Sequence, residues 1–136
     1  MRIVVIDGQG GGIGSSLVGK LKEAASPETE IIAVGTNALA TSAMLKAGAM
    51  AGATGENAVI FNAARADVIT GPMGILLANA MYGEITPDMA QAVSSSQALK
   101  VLVPISQCSL RVAGVAGKPL AAYVEEVAAI ILDYKN

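Results

Sequence analysis

Five glycines fall within seven residues directly behind an apolar run, in Ile3-Val4-Val5-Ile6-Asp7-Gly8-Gln9-Gly10-Gly11-Gly12-Ile13-Gly14-Ser15-Ser16. Without a Cβ the chain can turn sharply there and aim several backbone N–H groups at one point. If a helix begins at the end of the run, its positive dipole end faces the same point. That combination holds a phosphate. The expected cradle is Gly8, Gln9, Gly10, Gly11, Gly12, Ile13 and Gly14, with Ser15 and Ser16 at the helix N-terminus.

Ligands of open parallel sheets sit outside the carboxyl ends of the strands, where strand order reverses. The other strand ends predicted here are Gly35-Thr36-Asn37, Thr54-Gly55-Glu56-Asn57, Thr70-Gly71-Pro72 and Ser106-Gln107-Cys108-Ser109. None carries a lysine or arginine, so a phosphate must rest on backbone N–H groups and hydroxyls. Gly35, Thr36 and Asn37 are expected near a ribose, and Thr70 and Gly71 beneath the remaining half of the ligand. Asp7 is read as a cap for nearby loop N–H groups. Cys108 has no histidine anywhere in the chain to deprotonate it, and is read as a small buried hydrophobe. Met73, Met81 and Met89 are read as packing residues. No catalytic residue is assigned, and general acids and bases are scarce.

The spacing Gly8-x-x-x-Gly12-Ile13-Gly14 resembles the glycine motif of short-chain dehydrogenases, which binds a nicotinamide dinucleotide. Their Tyr-x-x-x-Lys pair is absent, and no acid stands about 20 residues beyond the glycines to take the ribose. The stretch from Gln9 to Ser15 also looks like the deviant Walker loop of partitioning ATPases, but Gln9 and Gly14 stand where that family has lysines. Without lysine, NTP hydrolysis loses its main electrostatic support. The expected ligand is therefore NAD or NADP, or another phosphorylated nucleoside. The alternative is a non-enzymatic nucleotide sensor or assembly subunit in which the loop is mainly structural.

These loops need a parallel sheet to position them, and strand and helix signals alternate along the whole chain. Strands are predicted at Ile3–Ile6, Ile31–Val34, Ala49–Ala53, Asp67–Thr70 and Lys100–Ile105, with a short last one at Leu110–Val115. Helices are predicted at Ser15–Ala25, Ala38–Lys46, Glu56–Ala64 (preferred over a strand at Val59-Ile60-Phe61), after Gly74 to about Met81, from Thr86-Pro87-Asp88 onward, and at Leu120–Tyr134. The fold class is α/β: a three-layer α/β/α, doubly wound, mostly parallel, Rossmann-like sheet in one domain over 1–136. A chain of 136 residues buries roughly 68–70% of its unfolded surface, enough for a proper core. Only 3% of residues are aromatic and the net charge is −2, which speaks against nucleic-acid and membrane partners. With no histidine and one cysteine, a zinc site and an internal disulfide are excluded. No targeting segment is expected, and the expected location is the cytoplasm. The apolar stretch from Leu76 to Met89 is the expected contact of a homo-oligomer.

The glycine loop is accompanied by Gly35-Thr36-Asn37-Ala38, Ala53-Thr54-Gly55-Glu56-Asn57-Ala58 and Gly83-Glu84-Ile85-Thr86-Pro87. With these motifs, the sequence resembles, over nearly its whole length, a small bacterial family known as domain of unknown function 3842. That resemblance implies a compact bacterial cytoplasmic protein with a Rossmann-like start. It brings no activity or catalytic residues with it.

Overall fold

The computed structural model describes residues 1–105 and 110–134. Four consecutive apolar residues, Ile3 to Ile6, can only lie in a strand covered on both faces. That strand, β1 (Arg2–Asp7), is central: it pairs in parallel with β2 (Glu30–Gly35) on one side and β4 (Val68–Pro72) on the other. Beyond β2 lies β3 (Ala51–Thr54), and beyond β4 lies β5 (Leu99–Val103), again in parallel register. The order is β3-β2-β1-β4-β5. The chain builds outward to β3 and then crosses back to β4, so strand order reverses at the carboxyl ends of β1 and β4.

Alternate residues of β1 feed two separate cores. Ile3 and Val5 pack under α1 (Gly12–Ala24), α2 (Ala38–Lys46) and α5 (Leu120–Asp133), against Leu17, Leu21, Met44, Val127 and Ile131. Val4 and Ile6 face α3 (Glu56–Ala63) and α4 (Pro87–Ser95), against Val59, Met89 and Val93. This is the expected three-layer α/β/α arrangement.

Two expected elements are replaced. The stretch from Gly74 to Met81 is not an α-helix: a single 3-10 turn, Met73–Leu76, gives way to left-handed residues at Asn79 (φ 67°), Met81 (57°), Tyr82 (55°) and Gly83 (89°). Backbone bonds from Asn79 N–H to the Ile85 carbonyl (2.7 Å) and from Ile85 N–H to the Ala80 carbonyl (3.2 Å) close a turn that buries Ala80 and Ile85. Burying those two side chains overrides the helical propensity of the stretch. The Met89 expected at an oligomer contact is likewise a core residue of α4.

Leu110–Val115 forms no strand either. Its backbone turns at Gly114 (φ 86°), a left-handed value no strand residue adopts, and Val112 remains 47% exposed. The described sheet therefore ends at β5. Smaller shifts move β3 to Ala51–Thr54 and the start of α1 from Ser15 back to Gly12. Ser106, Gln107, Cys108 and Ser109 lie outside the described residues.

Candidate functional site

An aspartate organises the first loop. Asp7, buried at the end of β1, accepts hydrogen bonds from Gly8 N–H at Oδ1 (2.7 Å) and from Gly14 N–H at Oδ2 (2.7 Å). One carboxylate thus ties the loop to its strand and caps a first-turn amide of α1, as the sequence reading expected. Burial pushes its pKa above the ordinary aspartate value, against the pull of the Gly14 and Gly8 amides. The nearby Glu84 charge adds to the rise, and the Ile13 amide opposes it. Asparagine cannot replace it, because one of the two N–H groups would then face an NH2. Asp7→Asn is expected to cost about 1–3 kcal/mol of stability, the penalty for a buried donor left unpaired; urea denaturation measures it.

The five glycines divide into two sets. Gly8, Gly11 and Gly14 are buried and the fold itself requires them. A Cβ on Gly8 would lie 2.6 Å from Thr36 Oγ1 and 2.7 Å from Glu84 Oε1. On Gly14 it would lie 2.8 Å from Asp7 Cβ, where α1 crosses β1 closely. Gly11 holds φ at 73°, with Ala40 backbone 2.9 Å from the Cβ position. Gly10 and Gly12 differ in every respect. They are exposed, neither has a left-handed backbone, and a Cβ on either would meet nothing within 4 Å. Their amides also make no hydrogen bond among the described residues.

The end of β2 meets this loop through Glu84, which the sequence shows in a motif but gives no reason to place at the site. Glu84 Oε1 accepts from Thr36 Oγ1 (2.5 Å), Gln9 N–H (2.8 Å) and Asn37 Nδ2 (3.0 Å). Partial burial pushes the Glu84 carboxyl up, but the donors Thr36, Gln9 and Asn37 outweigh it and hold the pKa below the ordinary glutamate value. The Asn37 amide is fully committed. Its Oδ1 caps α2 by accepting from Ala40 N–H (2.9 Å), and its Nδ2 also donates to the Gln9 carbonyl (3.0 Å). The expected residues Gln9, Thr36 and Asn37 are therefore neighbours, gathered around a carboxylate from elsewhere in the chain.

Other expected site residues are placed differently. Gly35 accommodates α2: a Cβ there would lie 2.3 Å from Thr41 Oγ1. Ile13 turns its side chain toward the core under α1, α2 and α5, and brings only its backbone to the loop. The Ser15 hydroxyl donates back to the Gly12 carbonyl (3.1 Å), as does Ser16 (3.0 Å). Thr70 and Gly71 stand beside β1 at the strand reversal, but both are fully enclosed, and the Thr70 hydroxyl has no partner among the described residues. Among the described residues no cluster of three metal-ligating side chains exists, and no helix is long and apolar enough to cross a membrane.

A parallel sheet of order 3-2-1-4-5, with a glycine loop joining its central strand to a helix, is the Rossmann-like, doubly wound class. The chain belongs to the family described as domain of unknown function DUF3842, whose model matches residues 2–136. No curated protein matches it in sequence. Among solved structures it is similar to a dodecameric FMN-dependent UbiX-like decarboxylase from Escherichia coli O157:H7. The TM-score is 0.53 at 18% identity, covering 98% of this chain and 93% of that one. At that identity the likeness concerns the fold.

Proposed function

We propose that this protein binds a phosphorylated nucleoside at the carboxyl ends of β1 and β2, with a phosphate on the amides of Gly10 and Gly12. One observation carries the reading: these two glycines have no packing or backbone reason to be glycine, and their amides lie beside the α1 N-terminus without internal partners. Glycine there keeps the backbone open to close approach by a ligand. The FMN-dependent neighbour supports including a flavin mononucleotide beside NAD and NADP among the ligands. Binding is proposed and no reaction.

A thermal-shift screen of the purified protein against NAD, NADP, FMN, ATP and sugar phosphates tests it. A ligand present at 100 times its dissociation constant adds about 2.7 kcal/mol. Silence from all of them would return the loop to a structural role. Self-association belongs to the same proposal, because Leu39 (68%), Phe61 (51%) and Tyr82 (97%) expose large apolar surface and the similar decarboxylase is dodecameric. Light scattering is expected to show more than one copy per particle, and a monomer would remove that part.

A further inference from the structure

The end of β2 offers a ligand only neutral groups of its own, Gly35-Thr36-Asn37. The structure nevertheless puts a carboxylate there. Glu84 Oε1 lies 2.5 Å from Thr36 Oγ1 and 3.0 Å from Asn37 Nδ2, reached from 47 or 48 residues further along the chain. The same oxygen takes the Gln9 amide, so the carboxylate stands between the glycine loop and the end of β2. All three donors use Oε1. Oε2 accepts nothing among the described residues, and the side chain is only half-buried.

The turn presenting Glu84 is fixed at both ends. Gly83 N–H donates to the Asn79 carbonyl (3.1 Å) and Glu84 N–H to the Met81 carbonyl (3.1 Å), while Ala80 and Ile85 anchor the flanks in the core. Two residues on, Thr86 donates to Glu56 (2.5 Å) and accepts from Met89 N–H (3.1 Å), locking the turn to both α3 and α4. Left-handed residues at Asn79, Met81 and Tyr82 persist only where surrounding contacts over-determine them. Glu84 is thus a permanent wall of the crevice. A fixed carboxylate with a spare oxygen accepts from hydroxyls and repels phosphate, and neither the glycine loop nor the end of β2 holds a lysine or arginine to offset the repulsion.

Resting on the nucleotide reading above, we propose that Glu84 is the specificity-determining residue of the crevice: it accepts the ribose hydroxyls of the ligand and excludes a ribose carrying a 2′-phosphate. Thr36, Asn37 and the Gln9 amide act as positioning groups that hold the carboxylate. The phosphate that binds sits on the Gly10 and Gly12 amides, which no acceptor among the described residues occupies. The ligand class narrows to nucleotides with a free ribose diol, NAD rather than NADP.

Isothermal titration of the full chain with NAD, NADP, AMP, adenosine 2′,5′-bisphosphate and FMN tests this, in the wild type and in Glu84→Gln. Glutamine keeps a carbonyl oxygen for the same three donors, so the turn is retained. The wild type is expected to prefer NAD over NADP, and AMP over the bisphosphate, by more than about tenfold. Glu84→Gln is expected to collapse both preferences. Equal binding of the paired ligands by the wild type overturns the proposal without needing any variant to fold, as does an unchanged preference in a folded Glu84→Gln. Binding of FMN with every adenine nucleotide silent overturns the ribose assignment and leaves the phosphate site standing. If no nucleotide binds, both readings fall.

Discussion

Gly71→Ala is expected to leave the chain unfolded, or destabilised by more than about 4 kcal/mol. Gly71 holds φ at 153°, outside what an L side chain adopts readily, and a Cβ placed on it would lie 2.1 Å from the Ile6 carbonyl oxygen. That oxygen belongs to the backbone of the central strand, so no rotamer change relieves the clash. Separating the strands is not open either: β4 is held to β1 from Val68 to Thr70 and to β5 from Val68 to Pro72. The two strands meet where sheet order reverses, so an opened contact would also disrupt the floor of the proposed crevice. Far-ultraviolet circular dichroism and urea denaturation of the purified variant report the outcome. A cooperatively folding Gly71→Ala protein within about 1 kcal/mol of wild type would mean that β1 and β4 pass each other differently.

Gly71 also shows why site and scaffold were hard to separate in the sequence. A glycine directly after a strand reads as a ligand contact, yet this one must be glycine because of Ile6. The architecture itself was legible wherever local chemistry is unambiguous. The apolar run Ile3–Ile6 had to be a doubly covered strand. Thr86-Pro87-Asp88 had to begin a helix, and the Thr86 hydroxyl does accept from Met89 N–H. Asp7 as a loop cap was equally readable, because an acid at a strand end has amides within reach of its short side chain.

The misreadings share a cause, which is dependence on residues distant in sequence. Ile75, Leu76 and Ala80 enter the core under α3 and α4 by way of a turn whose left-handed residues carry no local signature in Met81 and Tyr82. Leu110–Val115 has strand-like composition, yet Gly114 holds a left-handed backbone and the stretch forms no strand. Glu84 is the clearest case. In a dinucleotide site a single βαβ unit delivers an acid about 20 residues beyond the glycines, at the end of β2. Here a carboxylate reaches the end of β2 from another part of the chain, and only the fold brings Glu84 to Thr36 and Asn37.

The other large effect concerns binding, and it rests on the contrast between neighbouring glycines. Gly12→Val is expected to fold like the wild type and to abolish the nucleotide-induced thermal shift, removing a stabilisation of about 2.7 kcal/mol at 100 times the dissociation constant. Gly12 opens α1, its backbone is not left-handed, and a Cβ there meets nothing within 4 Å. Valine is intrinsically better than glycine in a helix, so the variant is expected to be no less stable. Its isopropyl group, however, would stand beside the Gly10 and Gly12 amides and bar a phosphate oxygen from approaching both. The adjacent Gly11→Val cannot serve the same purpose. With φ at 73° and Ala40 backbone 2.9 Å from the added Cβ, that change disrupts the packing of α2 against the loop and removes binding for trivial reasons. A folded Gly12→Val protein that binds its nucleotide with unchanged affinity would take the phosphate away from the α1 N-terminus. Gly10 and Gly12 would then have no explanation in packing, in backbone strain or in ligand approach.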